Sequence, residues 1–280
     1  GSLGAWLHRA GHDVLLVDRD EDHVAAIRRH GLRITGPVDE FAREVPVLTP
    51  GEVSGSFHTV VLAVKAHHTR EAAVQLAPHL GHDGVVVSMQ NGLNEEVIAQ
   101  VVGLERTVGC FVNFGADVVE PGVIMRGNRG AVVVGELDGT FTPRIRGVHT
   151  LFRDFEPDAV LTDNIQGYLW GKLAYGALLF ATALTDASIA DVLASERHRP
   201  ALVELAREVM RVAGARGIRP EPFDGFDPDA FHPDTADARA LESLDELVAF
   251  NRASAKSRTG VWLDLAVRKR KTEVDAQIAP

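Results

Sequence analysis

A single lysine interrupts an apolar helical run in the second half of the chain. Lys172 is the only charged residue between Tyr168 and Phe180. An ammonium is costly to bury without a partner, so this side chain must reach solvent, an acidic group or a ligand. From the run alone, the commoner outcome is a lysine whose stem covers apolar surface while its charge stays in water. The alternative is a cation that stabilises developing negative charge in a cleft and supplies a proton.

An acidic and a basic residue end the first predicted strand. The apolar run 13–19 predicts a buried strand that finishes at Asp18 and Arg19. At this position of a dinucleotide-binding sheet, an acidic side chain binds a ribose 2′-hydroxyl and an arginine accepts a 2′-phosphate. Both types are present, so charge alone does not choose between the two cofactors. Asp18 has a second interpretation as a cap of the following helix.

Polar residues also follow two later predicted strands. Lys65 ends the run 59–65, and Gln90 and Asn91 follow the run 84–88. Ligands of open parallel sheets bind at the carboxyl ends of the strands, where these side chains are expected. An Asn-Gly pair is most often only a turn, but its place after a central strand favours a binding role here.

A glycine-rich phosphate turn is represented only by Gly1 and Gly4. Gly1 is interpreted as the last glycine of a turn whose strand lies upstream, so that the first strand is missing. The alternative is that Gly1-Ser2 is a cloning remnant. The two glycines by themselves are weak evidence for nucleotide binding.

The order of the predicted elements divides the chain near residue 160. Strands and helices alternate in the first half, which predicts an α/β Rossmann-type domain with a doubly wound parallel sheet. Three runs within 106–139 predict an antiparallel extension of that sheet, and the rest predicts an all-α domain around a loop at 217–235. The predicted helices lie at 1–12, 21–30, 68–80, 94–102, 165–186, 199–216, 239–256 and 258–275, and the extension strands at 107–114, 122–125 and 131–135.

Composition limits the function classes. A length of 280 residues favours two domains, and a net charge of −10 argues against nucleic-acid binding. Cys110 is the only cysteine, which excludes an intrachain disulfide framework and a multi-cysteine zinc site and fits a cytoplasmic protein. The longest apolar run, 173–184, is too short to span a membrane. No metal site is expected.

Four short motifs carry a resemblance that covers nearly the whole chain from Gly4 onward. In order, they are VKA at 64–66, SMQNGL at 88–93, WGKL at 170–173 and KTEVD at 271–275. The set resembles the ketopantoate reductase (2-dehydropantoate 2-reductase) family. This resemblance implies a Rossmann domain at 1–160, a helical substrate and dimerisation domain like that of 6-phosphogluconate dehydrogenase at 161–280, and a cleft between them. It also implies a homodimer, and a C-terminal end that is truncated here.

The resemblance implies reduction of ketopantoate to D-pantoate with NADPH, a step towards pantothenate. The lysine that polarises and protonates the ketone corresponds to Lys172, and Glu273 belongs to the substrate site. Asn91 lies near the nicotinamide and the substrate, and Lys65 and Arg19 contact the adenosine phosphate end of NADP(H). NAD(H) stays possible. For Glu273 the alternative is a surface salt bridge within the basic run 268–271.

Three positions depart from the family pattern in the substrate site. Gly176 replaces an asparagine one turn after Lys172, and Phe180 or a neighbour replaces a second one. Thr259 is the nearest match to a serine that binds the substrate carboxylate. A less polar and roomier site favours a bulkier 2-keto acid over ketopantoate. The missing polar groups leave two alternatives, a non-catalytic NADP(H)-binding redox sensor and a purely structural scaffold.

Overall fold

The computed structural model describes residues 1–253 and 257–278. Its strands are β1 Leu16–Val17, β2 Leu32–Thr35, β3 Phe41–Arg43, β4 Val47–Leu48, β5 Phe57–Leu62, β6 Leu80–Ser88, β7 Thr107–Val112, β8 Ala116–Glu120, β9 Val123–Arg126, β10 Val132–Glu136 and β11 Val160–Leu161. Its α-helices are α1 Ser2–Arg9, α2 Glu21–His30, α3 Thr69–Leu76, α4 Glu95–Val102, α5 Pro143–Arg153, α6 Ile165–Thr182, α7 Ile189–Ala194, α8 Arg199–Ala215, α9 Asp237–Ala253, α10 Gly260–Trp262 and α11 Val274–Ile278.

The main sheet has the order β11-β10-β7-β6-β5. Strands β5, β6 and β7 run parallel, β10 is antiparallel to β7, and β11 is parallel to β10. The predicted α/β domain and the all-α second half are confirmed. The carboxyl ends of β5, β6 and β7 therefore lie at one edge of the sheet, where Lys65, Gln90 and Asn91 follow them.

Two strand predictions are wrong in extent or partner. The predicted strand 13–19 forms a ladder only at Leu16–Val17 and pairs with β4 outside the main sheet. The predicted strand 122–125 is observed as β9, which does not extend the main sheet, because it forms a separate sheet with β2, β3 and β8, in the order β3-β2-β9-β8. Strands β2, β3, β4 and β8 were not predicted; β2 and β3 are short and carry charged side chains on their exposed face. Leu32 and Ile34 bury the opposite face of β2.

The region between the two halves contains two elements that were not predicted, α5 and β11. Thr142 caps α5 by accepting a hydrogen bond from the Ile145 backbone, and Pro143 occupies its first turn. Ile145, Val148 and Phe152 bury one face of this helix. The 3.6-residue spacing of these apolar side chains was a signal for the helix that the sequence analysis did not use.

The helical half is built around α6, with α8, α9 and the unpredicted α7 packed beside it. The predicted helix 258–275 is wrong. After α10 a π-helical turn covers Leu263–Val267, Lys269 takes a positive φ of 49°, and α11 starts only at Val274. The last residues of the predicted helix 239–256, 254–256, lie outside the described residues. Within the described ranges, none of the helices combines the length and the apolar character needed to cross a bilayer.

Glycines place α6 directly against the sheet. Gly109 on β7 and Gly135 on β10 are register partners. A Cβ atom at Gly109 would lie 2.7 Å from Ile165 Cγ1, and one at Gly135 would lie 2.9 Å from Ile165 Cβ. Only glycine therefore lets the first turn of α6 approach this closely, which fixes where the side chains of α6 meet the sheet.

A fully buried arginine ends β9. Arg126 has 0% relative exposure, and its Nη2 donates to Glu156 Oε2 at 2.7 Å. Its guanidinium also lies 4.8 Å from the Trp6 ring centroid, 5.2 Å from that of Phe114 and 4.2 Å from that of Phe155. Glu156 therefore provides the neutralising charge for a cation that is otherwise enclosed by aromatic rings.

Candidate active site

Lys172 reaches the carboxyl edge of the main sheet. Asn164 caps α6 by accepting a hydrogen bond from the Gly167 backbone at 3.1 Å. Two turns further on, the half-buried Lys172 donates from Nζ to the backbone carbonyl of Val112, the last residue of β7. Nζ also lies 5.4 Å from the Phe111 ring centroid. The amine therefore sits between the helical half and the edge where parallel strands end.

Burial changes the acid–base chemistry of this lysine. Desolvation lowers the pKa of Lys172 from 10.5 to about 8, and the charge of Glu273 opposes that decrease. Burial also raises the pKa of the neighbouring Cys110 thiol well above its usual range, so the thiol stays protonated. Lys172 is thus a cation that can release a proton near neutral pH.

Glu273 faces the same edge from the C-terminal segment. Its Oε1 accepts a hydrogen bond from Lys65 Nζ at 3.2 Å, and its Oε2 accepts one from the Ala66 backbone at 3.1 Å. Glu273 is buried. The alternative interpretation, a surface salt bridge within the basic run 268–271, is wrong, because this carboxylate pairs with Lys65. Its charge also acts on Lys172.

The sequence analysis missed Asp264. Its Oδ2 accepts from Lys65 Nζ at 2.8 Å, and its Oδ1 accepts from Arg268 Nη1 at 3.2 Å and from Arg270 Nε at 2.9 Å. Although burial raises the pKa of Asp264, the hydrogen bonds and charges of these cations outweigh it and hold the pKa below its usual range. The available signal was one charge within the apolar run 261–267, the same signal that Lys172 gives.

The predicted strand 59–65 is observed as β5, which ends earlier, at Leu62, so Lys65 follows the strand, and its observed partners differ from those expected. The family resemblance implies contact with the adenosine phosphate end of the cofactor. The structure instead engages its ammonium with Asp264 and Glu273. These partners lie 199 and 208 residues away in the sequence, so Lys65 ties the sheet to the C-terminal segment.

The turn after β6 contains one buried polar side chain, Gln90, and one exposed polar side chain, Asn91. The amide nitrogen of the buried Gln90 donates to the Val64 carbonyl and to Thr69 Oγ1, each at 2.8 Å. Gln90 Oε1 is buried and has no hydrogen-bond partner among residues 1–253 and 257–278. Asn91 is exposed at the same edge. Gly92 has a φ of 89°, and a Cβ atom there would lie 3.0 Å from Gln277 Cα, so α11 passes directly over this turn.

The two remaining substrate-site candidates have different surroundings. Thr259 Oγ1 accepts a hydrogen bond from the Trp262 backbone at 3.0 Å and caps α10. Gly176 lies one turn after Lys172 and therefore on the same face of α6. A Cβ atom at Gly176 would be 3.8 Å from Phe180 Cζ, its nearest neighbour. Gly176 thus leaves open space beside Lys172.

Asp18 and Arg19, which follow β1, contact different partners. Asp18 Oδ1 accepts from the Asp20 backbone at 2.9 Å, whereas Asp20 itself caps α2. The interpretation of Asp18 as the helix cap is therefore wrong. Arg19 Nη2 lies 2.8 Å from His68 Nε2, a contact that the sequence analysis did not predict.

Gly1 directly precedes α1, whose first turn has no side-chain cap. A Cβ atom at Gly1 would lie 2.1 Å from Ile124 Cδ1, so the start of α1 packs tightly against β9. The backbone N–H groups of the first turn therefore have no side-chain acceptor from the capping position, which is the arrangement that binds anions at helix N-termini.

Comparisons with known proteins agree with the motifs. A family model described as "Ketopantoate reductase PanE/ApbA" matches residues 1–139, and its C-terminal counterpart matches residues 164–279. The 2-dehydropantoate 2-reductase of Pyrococcus abyssi (strain GE5 / Orsay) is 31% identical over 236 residues, which cover 81% of this chain and 75% of that protein.

Two solved structures share the fold. The 2-dehydropantoate 2-reductase from Geobacter metallireducens GS-15 aligns with a TM-score of 0.83 and 24% identity, over 99% of this chain and 86% of that chain. A D-mandelate dehydrogenase, solved with NADH and anilino(oxo)acetate, aligns with a TM-score of 0.81 and 20% identity, over 98% of this chain and 84% of that chain. The family models and the Pyrococcus relative together show that this chain belongs to the ketopantoate reductase family of oxidoreductases.

Proposed function

We propose that this chain reduces the keto group of a 2-keto acid with a nicotinamide cofactor, and that Lys172 is the proton donor. The observation that carries the proposal is the position of the Lys172 amine. It lies at the carboxyl end of β7, is half-buried, and is close enough to Glu273 for that charge to raise its pKa. The Lys172 ammonium therefore lies at the edge where open parallel sheets bind their ligands.

The donor groups at the sheet edge fit a dinucleotide. Arg19 offers guanidinium N–H groups to a 2′-phosphate, and Asp18 has the acceptor oxygens that a ribose hydroxyl requires. The first turn of α1, after Gly1, would hold the pyrophosphate, and Gln90 and Asn91 would lie near the nicotinamide. Gln90 Oε1 is a buried acceptor for which the described residues provide no donor. When bound, the reduced nicotinamide supplies the hydride.

The side chains of the site divide the remaining work. As the ketone oxygen becomes negative, the Lys172 ammonium donates a hydrogen bond to it and then a proton. The Val112 carbonyl orients the amine before the reaction. Glu273, held by Lys65 and the Ala66 backbone, keeps a negative charge near the amine and is available to accept a hydrogen bond from substrate.

NADP(H) is the favoured cofactor because Arg19 has no carboxylate within ion-pair distance in residues 1–253 and 257–278. A guanidinium free of acidic partners suits a 2′-phosphate. NAD(H) is the second candidate, since the structurally similar D-mandelate dehydrogenase was solved with NADH. Comparing kcat/KM for the two cofactors with one 2-keto acid distinguishes them.

The test of the function is turnover. Purified protein is incubated with ketopantoate and with phenylglyoxylate, the 2-keto acid that corresponds to mandelate, and oxidation of NADPH or NADH is followed at 340 nm. Turnover of either keto acid supports the proposal. Cofactor binding without turnover of any 2-keto acid would favour the redox sensor, and absence of cofactor binding would favour the scaffold.

We expect the rate to fall in alkaline solution. Only the ammonium form of Lys172 donates a proton, and its pKa is lowered to about 8. The protonated fraction therefore decreases as the pH rises through 8, and kcat/KM should fall about tenfold for each further pH unit. A pH profile from 6 to 10 measures this, with cofactor affinity at each pH as the control. A profile that stays flat to pH 10 contradicts the assignment.

Gly176 is the position that we expect to set substrate size. Gly176→Asn fills the open space beside Lys172 with an amide, because the nearest atom leaves room for a Cβ. We expect kcat/KM for ketopantoate to rise about fivefold, the effect of roughly one hydrogen bond, and that for phenylglyoxylate to fall. Steady-state kinetics with both substrates measure the change.

The matched control is Gly214→Asn, which adds the same side chain to an exposed and unobstructed site on α8. It should leave both substrates unchanged. If Gly176→Asn also leaves their ratio unchanged, Gly176 does not line the substrate site.

The assembly, location and limits of the domains stay predictions. We expect a homodimer in the cytoplasm, a dinucleotide domain at 1–160 and a helical domain at 161–280. Light scattering with chromatography measures the mass in solution, and a monomer would contradict the expected dimer.

A further inference from the structure

A histidine holds the arginine that follows β1. Arg19 is exposed, and its Nη2 lies 2.8 Å from Nε2 of His68. His68 belongs to the short 3₁₀ turn Ala66–His68, which follows β5. Since β1 and β5 belong to different sheets, this contact connects the ends of two strands that share no ladder. It also removes much of the rotamer freedom that an exposed arginine has.

The contact leaves the charge of Arg19 intact. A guanidinium donates but never accepts, so Nε2 of His68 must be the acceptor and the imidazole must be neutral. Burial, the neighbouring His67 and Arg19 itself all lower the pKa of His68, against smaller opposing effects of Glu71 and Glu273. A neutral partner fixes the guanidinium without cancelling its charge, which a carboxylate would do.

Lys65, the second cation that the family resemblance assigns to the adenosine phosphate, is already engaged. Its ammonium donates to two carboxylates, those of Asp264 and Glu273. Arg19 uses one of its five N–H donors on His68 and keeps the rest. Of these two cations, Arg19 is therefore the one whose charge remains open to a phosphate group.

We propose that His68 is a positioning residue that holds Arg19 for the 2′-phosphate of the cofactor and so sets the preference for NADP(H) over NAD(H). This inference rests on the proposed function and names a determinant of its cofactor specificity. His68 itself makes no contact with the reacting atoms in this account. It acts by holding the Arg19 side chain in place before the cofactor binds. Without His68, that side chain would have to be ordered during binding.

The test measures binding of two probes by calorimetry, 2′,5′-ADP and 5′-AMP, which differ by the 2′-phosphate. We expect His68→Ala to weaken 2′,5′-ADP about three- to tenfold and to leave 5′-AMP unchanged. His68→Gln keeps a hydrogen-bond acceptor and should restore most of the lost affinity. Arg19→Gln should weaken 2′,5′-ADP more strongly than His68→Ala does. His58→Ala, an exposed histidine on β5, is the matched control and should change neither.

Several outcomes would overturn the proposal. Equal weakening of both probes by His68→Ala would indicate a structural role, and no weakening would show that Arg19 needs no support. An unaltered 2′,5′-ADP affinity in Arg19→Gln would show that the arginine does not bind the phosphate. The ratio of kcat/KM for NADPH and NADH should follow the binding ratio. Failure of the proposed function would give a result different from failure of this inference. In that case the unmodified protein would reduce no 2-keto acid with either cofactor.

Discussion

Replacing Lys172 with alanine should lower kcat/KM for the best 2-keto acid about 10³-fold, while the affinity for the cofactor stays the same. The loss combines general-acid catalysis, about 10²- to 10⁴-fold, with stabilisation of the charge on oxygen. Lys172 is buried enough for its pKa to fall to about 8, so water does not replace its charge efficiently. Steady-state kinetics with saturating cofactor, and cofactor titration by fluorescence, measure the two quantities.

The control for this experiment is Lys271→Ala. Its side chain is 78% exposed and its one ion-pair partner among the described residues is the exposed Asp275, so the variant should retain normal turnover. Undiminished activity in Lys172→Ala would rule out the assigned proton donor. A loss of cofactor affinity equal to the loss of kcat/KM would mean that Lys172 holds the nucleotide instead.

Replacing Glu156 with glutamine should lower the free energy of unfolding by about 3 kcal/mol. The substitution keeps the size of the side chain but removes the charge that neutralises the fully buried Arg126. Removing one partner of a buried ion pair typically costs about 3–5 kcal/mol. The glutamine oxygen recovers a part of that free energy. Nε and Nη1 of Arg126 have no hydrogen-bond partner in the described part of the chain, so no acceptor there replaces the lost carboxylate. Urea denaturation followed by circular dichroism measures the change.

Glu204→Gln provides the matched comparison. Glu204 also pairs with an arginine, Arg211, but both side chains are about half exposed. Its removal should change the unfolding free energy by less than about 0.5 kcal/mol. If both variants lose similar stability, burial of Arg126 is not the cause.

The role of Lys172 could be predicted in part from the sequence. A single charged side chain in an apolar helical run requires a polar partner, and in the structure that partner is the Val112 carbonyl at the end of β7. The same reasoning applied to 261–267 would have found Asp264, whose charge also stands alone among apolar neighbours. Patterns of this kind identify the residue but not its partner, since the partner comes from a distant part of the chain.

The errors share a physical origin. The predicted helix 258–275 had suitable residues throughout, but the cations near its centre bind back onto Asp264 and bend the backbone at Lys269. The Arg19–His68 contact joins residues 49 positions apart, and neither residue type predicts the other. Tertiary contacts decided both cases, and local propensity does not contain them.

The tie between Lys65 and Glu273 has a consequence for how activity returns during refolding. These residues are 208 positions apart, so closing the loop between them carries a large entropic cost that earlier contacts must offset. Separate apolar clusters on the two sides of the molecule can form before that closure. Until it occurs, Glu273 is not held at the sheet edge, and Lys172 lacks the negative charge that opposes the lowering of its pKa. Secondary structure should therefore recover before turnover does. A partly folded intermediate should have the circular dichroism spectrum of the native enzyme but no catalytic activity.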